Sequence, residues 1–271
     1  LKLVKTSEDG NVANIEFTVK GENFNKTVKT NSKGEFELTD LVPGTYTVTE
    51  NTEGKYAKQN SKTVKVESGK TATVSFANVL KKWNLTVIKT DAETKTTQGN
   101  ATVAGAVYGI YNNGKLLDKY TTDKNGSFTT SYYVCGDNWT LKEIVPSEGY
   151  LLDETEYHIG AEAKNYTVEN NSISMGVTED ITKGKISIIK HTDDGSTKIE
   201  TPEKGAEFQV YLKSSVSYAK AKDTERDLLT CDEYGFAETK DLPYGTYTVH
   251  QTKCWDGTEF IKDFDVFINE N

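Results

Sequence analysis

The sequence predicts an all-β chain built from β-sandwiches in tandem. A short strand of alternating apolar residues that ends in a lysine occurs three times, at 1–5, 83–89 and 186–190. Threonine, tyrosine, valine and glycine are abundant and only 1 methionine is present, which favours strands over helices. A repeat of roughly 80 to 100 residues is too long for a solenoid and suits separate domains joined in a row.

Each repeat begins with a strand whose terminal lysine lies on the same face as the apolar residues. Side chains alternate between the two faces of a strand, so the terminal lysine lies on the same face as the apolar residue two positions before it. We therefore expect three lysines to point into a core: Lys5, Lys89 and Lys190. A lysine in a core is costly unless it is paired, neutral or consumed by chemistry. The residues that face each lysine decide which of these applies.

Two further strands supply those facing residues. The strand that ends the glycine-bounded hairpin of each repeat places Glu50, Glu143 or Gln251 on its apolar face. The strand that closes the repeat places Asn78 inward in the first repeat and Glu179 inward in the second. The first repeat thus combines Lys, Glu and Asn, and the second combines Lys, Glu and Glu.

The spacing of these residues predicts the domain boundaries. Asn78 precedes Lys89 by 11 residues and Glu179 precedes Lys190 by 11, so the two junctions align without a gap. We predict β-sandwich domains at 1–80, 81–182 and 183–271, joined by short connections at 80–82 and 182–184. The segment FDVFINEN at 264–271 aligns with the penultimate strand of the first repeat, so we expect the third domain to lack its last strand.

The residues resemble the Cna protein B-type domains, also called SpaA-like or prealbumin-like domains, of Gram-positive adhesins and pilins. The likeness covers nearly the whole chain and implies tandem Ig-like, prealbumin-like (CnaB-type) β-sandwiches with a role at the cell surface. It names no ligand. The matching segments are VKTSEDG at 4–10, VIKTDAET at 87–94, IIKHTDDG at 188–195, GTYTV at 44–48 and 245–249, and EIVPSEGYLLD at 143–153.

In the first repeat this resemblance implies a self-formed isopeptide bond. Desolvation lowers the pKa of a buried lysine such as Lys5, which makes its neutral amine available as a nucleophile. A buried Glu50 can hold a proton and hydrogen-bond the Asn78 carbonyl. Attack of Lys5 Nζ on Asn78 Cγ, with Glu50 as the catalytic residue that shuttles protons, releases ammonia. A buried Lys–Glu ion pair is the alternative interpretation.

The second repeat departs from this pattern because Glu179 holds the acceptor position. A carboxyl acceptor can form the same amide by losing water, with Glu143 as the catalytic acid. Glutamate is longer than the family's usual acceptors, however, and places a second acid beside Glu143. Two interpretations stay open: an isopeptide cross-link from Lys89 to Glu179, and a non-covalent cluster of Lys89, Glu143 and Glu179.

In the third repeat we expect no such bond. Gln251 cannot shuttle protons as an acid, and the strand that should carry an acceptor is missing. Lys190 is then neutral, in contact with water, or paired elsewhere. The cysteines Cys135, Cys231 and Cys254 show no metal or redox spacing, and we interpret them as free thiols, with a Cys231–Cys254 bridge as the alternative.

Composition and charge exclude several functions. The formal net charge of −9 over 271 residues argues against nucleic acid or an anionic membrane as a partner. No run of about 18 apolar residues that could span a membrane is present. No cofactor motif, metal motif, Ser/His/Asp set or glycine-rich phosphate loop can be assembled, so we expect no enzyme acting on an external substrate. Neither a signal peptide nor an LPxTG-type sorting motif is visible, and we interpret the chain as a segment of a longer secreted protein.

Two function classes remain. The first is a structural stalk or adhesin segment of a Gram-positive surface protein, extracellular at the cell wall, whose partners are further domains of the same protein. The second is a ligand-binding module that recognises a host protein or glycan. Candidate contact residues for the second are Tyr132, Tyr133, Trp139 and the inserted segment 214–227. Two interpretations of AKAKDTERD at 219–227 stay open: a decorated loop and a short helix.

Overall fold

A computed structural model describes residues 1–51, 54–193 and 201–269. Strands dominate these residues and pair into two-layer sandwiches, which confirms the predicted all-β class. The three large apolar clusters each draw their residues from one of the predicted ranges 1–80, 81–182 and 183–271. A small fourth cluster joins the last two ranges, since Tyr244 packs there against Ala101, Tyr150 and Ile181.

The first sandwich packs a three-stranded sheet, in the order β4-β1-β7, against a four-stranded sheet, in the order β3-β2-β5-β6. Its first strand β1 and its last strand β7 lie side by side and run parallel. The alternation of buried and exposed residues along β7 matches the predicted pattern. The strands are β1 (Lys2–Ser7), β2 (Glu16–Gly21), β3 (Phe24–Lys29), β4 (Glu35–Glu37), β5 (Gly44–Glu50), β6 (Lys62–Val66) and β7 (Thr73–Asn78).

The second sandwich repeats this plan with longer strands. One sheet has the order β10-β9-β13-β14, and in the other β8 is flanked by β11 and β12 on one side and by β15 on the other. The last strand β15 runs parallel to β8 along its whole length. The strands are β8 (Lys82–Asp91), β9 (Val107–Asn112), β10 (Lys115–Thr121), β11 (Ser127–Thr129), β12 (Tyr133–Val134), β13 (Trp139–Val145), β14 (Tyr157–His158) and β15 (Asn170–Glu179).

The third sandwich has a four-stranded sheet in the order β21-β20-β24-β25. The opposing layer consists of three short strand pairs, β16–β23, β17–β22 and β18–β19. Strand β25 pairs with β24 as β6 pairs with β5, so 264–268 takes the penultimate position that the sequence predicts. The strands are β16 (Lys183–Gly184), β17 (Ser187–Ile189), β18 (His191–Thr192), β19 (Thr201–Pro202), β20 (Glu207–Leu212), β21 (Arg226–Thr230), β22 (Phe236–Glu238), β23 (Leu242–Pro243), β24 (Gly245–Lys253) and β25 (Phe264–Ile268).

Helical structure in the described part of the chain is limited to short 3₁₀ turns. The segment 219–227 contains the end of one such turn, the whole of another and the start of β21, so it forms no longer helix. None of the described helices is long and apolar enough to cross a membrane. The turns are Ala163–Asn165, Lys213–Ser215, Tyr218–Lys220 and Asp223–Glu225.

Candidate isopeptide sites

The first site lies where β1, β5 and β7 converge. The parallel register places Lys5 opposite Phe76 and Ser7 opposite Asn78. Asn78 therefore lies two residues beyond the partner of Lys5 on β7, with its side chain on the same face of the sheet. Glu50 ends β5 on the facing sheet. Lys5 and Asn78 are each only 2% exposed, and the Glu50 side chain is 5% exposed. The fold therefore brings the three predicted side chains into one buried place.

Glu50 contacts both of the other residues. Asn78 Nδ2 donates a hydrogen bond of 2.7 Å to Glu50 Oε1, and Lys5 Nζ lies 3.7 Å from Glu50 Oε2. Lys5 Nζ also donates to the Thr6 carbonyl at 2.8 Å. Burial lowers the pKa of Lys5 from its ordinary value, and this outweighs the opposite effect of the Glu50 carboxylate. The amine therefore loses its proton more readily here than in water.

A fourth residue of this site, Gln59, is absent from the sequence predictions. Its Nε2 donates to Asn78 Oδ1 at 2.7 Å and to the Ala77 carbonyl at 2.6 Å. Gln59 lies in the connection between β5 and β6, where no alternation of apolar residues indicates a face. A cavity of ≈ 810 Å³ lined by Glu50, Asn78 and Gln59 extends to residues of the second sandwich, including Lys81 and Tyr166.

The second site repeats the geometry of the first. In the register of β8 and β15, Lys89 lies opposite Val177, and Glu179 lies two residues further along β15. Asn78 is displaced from Lys5 by the same two residues in the first sandwich. The side chains of Lys89, Glu143 and Glu179 are fully buried. Lys89 Nζ lies in direct contact with Glu179 Oε2 and 3.6 Å from Glu143 Oε1.

Burial governs the electrostatics of this second site. It lowers the pKa of Lys89 to about 8, despite the opposing effect of Glu143. It also raises the pKa of Glu143, although a hydrogen bond from the Asp153 backbone and the charge of Lys89 act against this. Both shifts favour a neutral amine beside a protonated acid. Tyr108, whose pKa burial also raises, donates its hydroxyl hydrogen to Glu179 Oε1.

In the third sandwich Lys190 is paired elsewhere, one of the three outcomes left open by the sequence. Lys190 Nζ lies 2.9 Å from Glu203 Oε2, and the Glu203 side chain is fully buried. Glu203 Oε1 accepts the Trp255 backbone N–H at 2.7 Å. Gln251 is buried, but its Oε1 accepts the backbone N–H of Ile261 at 3.0 Å. Glu203 is not predicted from the sequence because no strand pattern surrounds it.

The other predicted features fall as follows. All 3 cysteines are free, so the Cys231–Cys254 bridge is wrong and the free-thiol interpretation is confirmed. Among the described residues, no group of three or more His, Cys, Asp or Glu side chains could hold a metal ion.

The candidate ligand-contacting residues mostly serve packing. Trp139 is buried and Tyr133 packs against it, whereas Tyr132 is 50% exposed. In the inserted segment 214–227, the buried Glu225 accepts the backbone N–H of Gly99 at 2.9 Å, so this insertion contacts the second sandwich.

These features define a class of protein: tandem prealbumin-like β-sandwiches in which a buried lysine of the first strand faces an acid of the opposing sheet. Residues 84–173 and 184–271 match the model of the SpaA family, described as a prealbumin-like fold domain. The chain belongs to this family, which confirms the resemblance drawn from its motifs. Residues 4–79 match the model of the carboxypeptidase regulatory-like domain.

A solved structure gives the same fold. The chain is similar to the Bacillus anthracis TIE protein at 28% identity and a TM-score of 0.72, over 100% of this chain and 48% of that one. It therefore spans about half the length of that relative. It is also similar to BcpA, the major pilin subunit of Bacillus cereus, at 15% identity and a TM-score of 0.42, over 100% of this chain and 95% of that one. The comparison with curated proteins found no match.

Proposed function

We propose that this chain is a structural stalk or adhesin segment of a Gram-positive cell-surface protein, and that isopeptide bonds close its first two sandwiches. The observation that carries the proposal is the buried convergence of Lys5, Glu50 and Asn78 from the first strand, the facing sheet and the last strand. The family match and the resemblance of the sequence to Cna protein B-type domains of Gram-positive adhesins and pilins support an extracellular location at the cell wall. Its partners are then neighbouring domains of the same protein.

In the first site the chemistry is amide exchange. The neutral Lys5 Nζ adds to Asn78 Cγ and loses a proton, which Glu50 accepts. Glu50 returns a proton to Asn78 Nδ2, with which it already shares a hydrogen bond of 2.7 Å. The Cγ–Nδ2 bond then breaks and ammonia leaves. The products are one new amide and one ammonia, with Glu50 regenerated.

In the second site the same chemistry releases water. Lys89 Nζ adds to Cδ of the Glu179 carboxylic acid, and Glu143 gives a proton to Oε2 and takes one from the amine in return. Oε2 then carries that proton and the carboxyl hydrogen, the Cδ–Oε2 bond breaks and water leaves. The direct contact and full burial of the Lys89 and Glu179 side chains supply the proximity and the exclusion of water that this bond requires. The raised pKa of Glu143 supports its role as a proton donor at neutral pH.

The consequence of each bond is mechanical and thermodynamic. The bonds join the first and last strands of a sandwich, which already lie side by side and parallel. Pulling force then passes through a covalent link and bypasses the hydrogen-bonded sheets. By the chain-entropy treatment used for disulfides, closing a loop of this length adds about 4 kcal/mol of stability per bond.

The intact mass of the purified chain tests the proposal. We expect it to fall below the sequence mass by about 17 Da for the Lys–Asn bond and about 18 Da for the Lys–Glu bond. Glu50→Ala should restore the first loss alone, and Glu143→Ala the second alone. Lys2→Ala, which removes a partly exposed lysine from the same strand as Lys5, should leave both losses in place. A wild-type chain at its full sequence mass would contradict the proposal.

A further inference from the structure

We infer that each site contains a neutral hydrogen-bond donor for the acceptor's carbonyl oxygen, Gln59 in the first sandwich and Tyr108 in the second. This inference rests on the isopeptide chemistry proposed above. It assigns a catalytic role to two residues outside the Lys, Glu and acceptor positions. Their task is to stabilise the negative charge that appears on that oxygen when the lysine nitrogen adds to the carbon.

In the first site the donor is a side-chain amide. Asn78 Oδ1 is the oxygen that gains charge when Lys5 Nζ adds to Cγ, and Gln59 Nε2 lies 2.7 Å from it. Gln59 Nε2 is thus already within hydrogen-bond distance of the oxygen that becomes the oxyanion. A second bond, from Gln59 Nε2 to the Ala77 carbonyl at 2.6 Å, fixes the orientation of the amide.

Glu50 contacts the other polar atom of the acceptor amide. Its Oε1 accepts the hydrogen bond from Asn78 Nδ2, the nitrogen that leaves as ammonia. The two residues therefore contact different atoms of the acceptor amide. Glu50 protonates the nitrogen that leaves, and Gln59 donates a hydrogen bond to the oxygen that stays.

In the second site the donor is a phenol. Tyr108 donates to Glu179 Oε1, while Lys89 Nζ contacts Oε2 of the same carboxyl group. This arrangement identifies Oε1 as the oxygen kept in the new amide and Oε2 as the oxygen lost as water. Burial raises the pKa of Tyr108, so its hydroxyl keeps the proton that it donates.

Strand pairing explains why the two donors come from different places. Tyr108 on β9 lies opposite Glu143 on β13, and Phe17 on β2 lies opposite Glu50 on β5. Phe17 therefore holds in the first sandwich the position that Tyr108 holds in the second, but it has no hydroxyl group. The connection between β5 and β6 supplies Gln59 instead. Two unrelated positions thus place a neutral donor on the same kind of oxygen.

The test follows bond formation in time. The full 271-residue chain is synthesised in a cell-free system, samples are quenched in denaturant, and the two cross-linked peptides are quantified by mass spectrometry after digestion. Gln59→Ala should slow the Lys5–Asn78 cross-link by about 100-fold and leave the Lys89–Glu179 cross-link unchanged. Tyr108→Phe should do the reverse, so each variant is the control for the other.

A second measurement separates catalysis from folding. Lys5→Met, which cannot form the first bond, is compared with Lys5→Met/Gln59→Ala by thermal unfolding, and equal melting temperatures are expected. A clearly lower melting temperature of the double variant would assign the slowing to lost packing and overturn the role of Gln59. Cross-linking at the wild-type rate in Gln59→Ala would also overturn it, while the proposed function would stand. A wild-type chain without either cross-link would overturn both.

Discussion

At the scale of single residues, the same side chain meets three different environments. Lys5 is buried beside an amide acceptor, Lys89 contacts a carboxyl acceptor, and Lys190 forms an ion pair with Glu203. Taking a charge out of water is costly, so each site either neutralises the lysine or pairs it. The first two sites have an acceptor on the neighbouring last strand, and the third has an acid from another segment.

The lowered pKa of Lys89 predicts a pH dependence when the second bond cannot form. In Glu179→Ala the amine remains free, with a pKa of about 8 in the folded chain against an ordinary 10.5. Between these values the unfolded chain holds a proton that the folded chain lacks, so stability rises with pH in this window. Thermal unfolding from pH 7 to 10 should show a rising melting temperature for the second sandwich.

The control for this experiment is Glu179→Ala/Lys89→Met, which lacks the titrating amine. It keeps Glu143, whose raised pKa gives the opposite slope, because that group contributes stability that is lost as pH rises through its folded pKa. The difference between the two variants therefore reports the titration of Lys89 together with its coupling to Glu143. Equal slopes in both would show that Lys89 has an ordinary pKa in the folded chain.

At the scale of elements, the pairing of the first strand distinguishes the three sandwiches. Strand β1 is flanked by β4 and β7, and β8 is flanked on both sides as well. Among the described residues, β17 pairs with β22 alone. Exposed apolar side chains lie near this edge, including Ile189 at 69% and Phe264 at 41%. An unpaired strand edge is a template for another strand, and it opens more easily than a paired one.

Amide hydrogen exchange of the first strand should therefore be faster in the third sandwich than in the other two. We expect backbone amides of β17 to exchange faster than those of β1 and β8, because opening β17 breaks one ladder and opening the others breaks two. The measurement is native-state exchange followed by mass spectrometry or NMR on the whole chain. The paired strand β20, flanked by β21 and β24, is the control within the same sandwich. Protection of β17 equal to that of β1 would refute the expectation.

At the scale of the whole molecule, polar contacts connect successive sandwiches. Glu8 accepts the Leu80 backbone N–H at 2.9 Å and pairs with Lys82 at 2.6 Å across the first junction. At the second junction Asn100 N donates to the Tyr244 carbonyl at 2.9 Å, and Asn100 Oδ1 accepts the Thr246 N–H at 3.0 Å. Direct polar contacts therefore bridge both junctions.

The second junction depends on a close approach at Gly149. A Cβ atom there would lie 2.7 Å from the Tyr244 ring and 2.7 Å from Ala101 Cβ. Gly149→Ala should therefore push the second and third sandwiches apart, with an overpacking cost of about 1–3 kcal/mol beyond the backbone strain. Small-angle X-ray scattering should show a broader distribution of interatomic distances, and thermal unfolding a lower melting temperature.

Gly160→Ala is the matched control. Gly160 has φ +74 against +84 at Gly149, but a Cβ atom there would have nothing within 4 Å. Its alanine variant should cost about 1–2 kcal/mol of backbone strain and leave the scattering curve unchanged. Identical scattering from the two variants would show that the junction does not need the glycine.

The sequence by itself determined the all-β class and the buried faces of the strands, because alternation along a strand fixes which side chains share a face. It thereby identified Lys5, Glu50 and Asn78, each of which lies within a regular strand. Only the tertiary structure revealed Gln59, Glu203 and Glu225, since all three lie outside the strands. Their contacts join segments far apart in the chain, and no local period encodes where a connection between strands will fold.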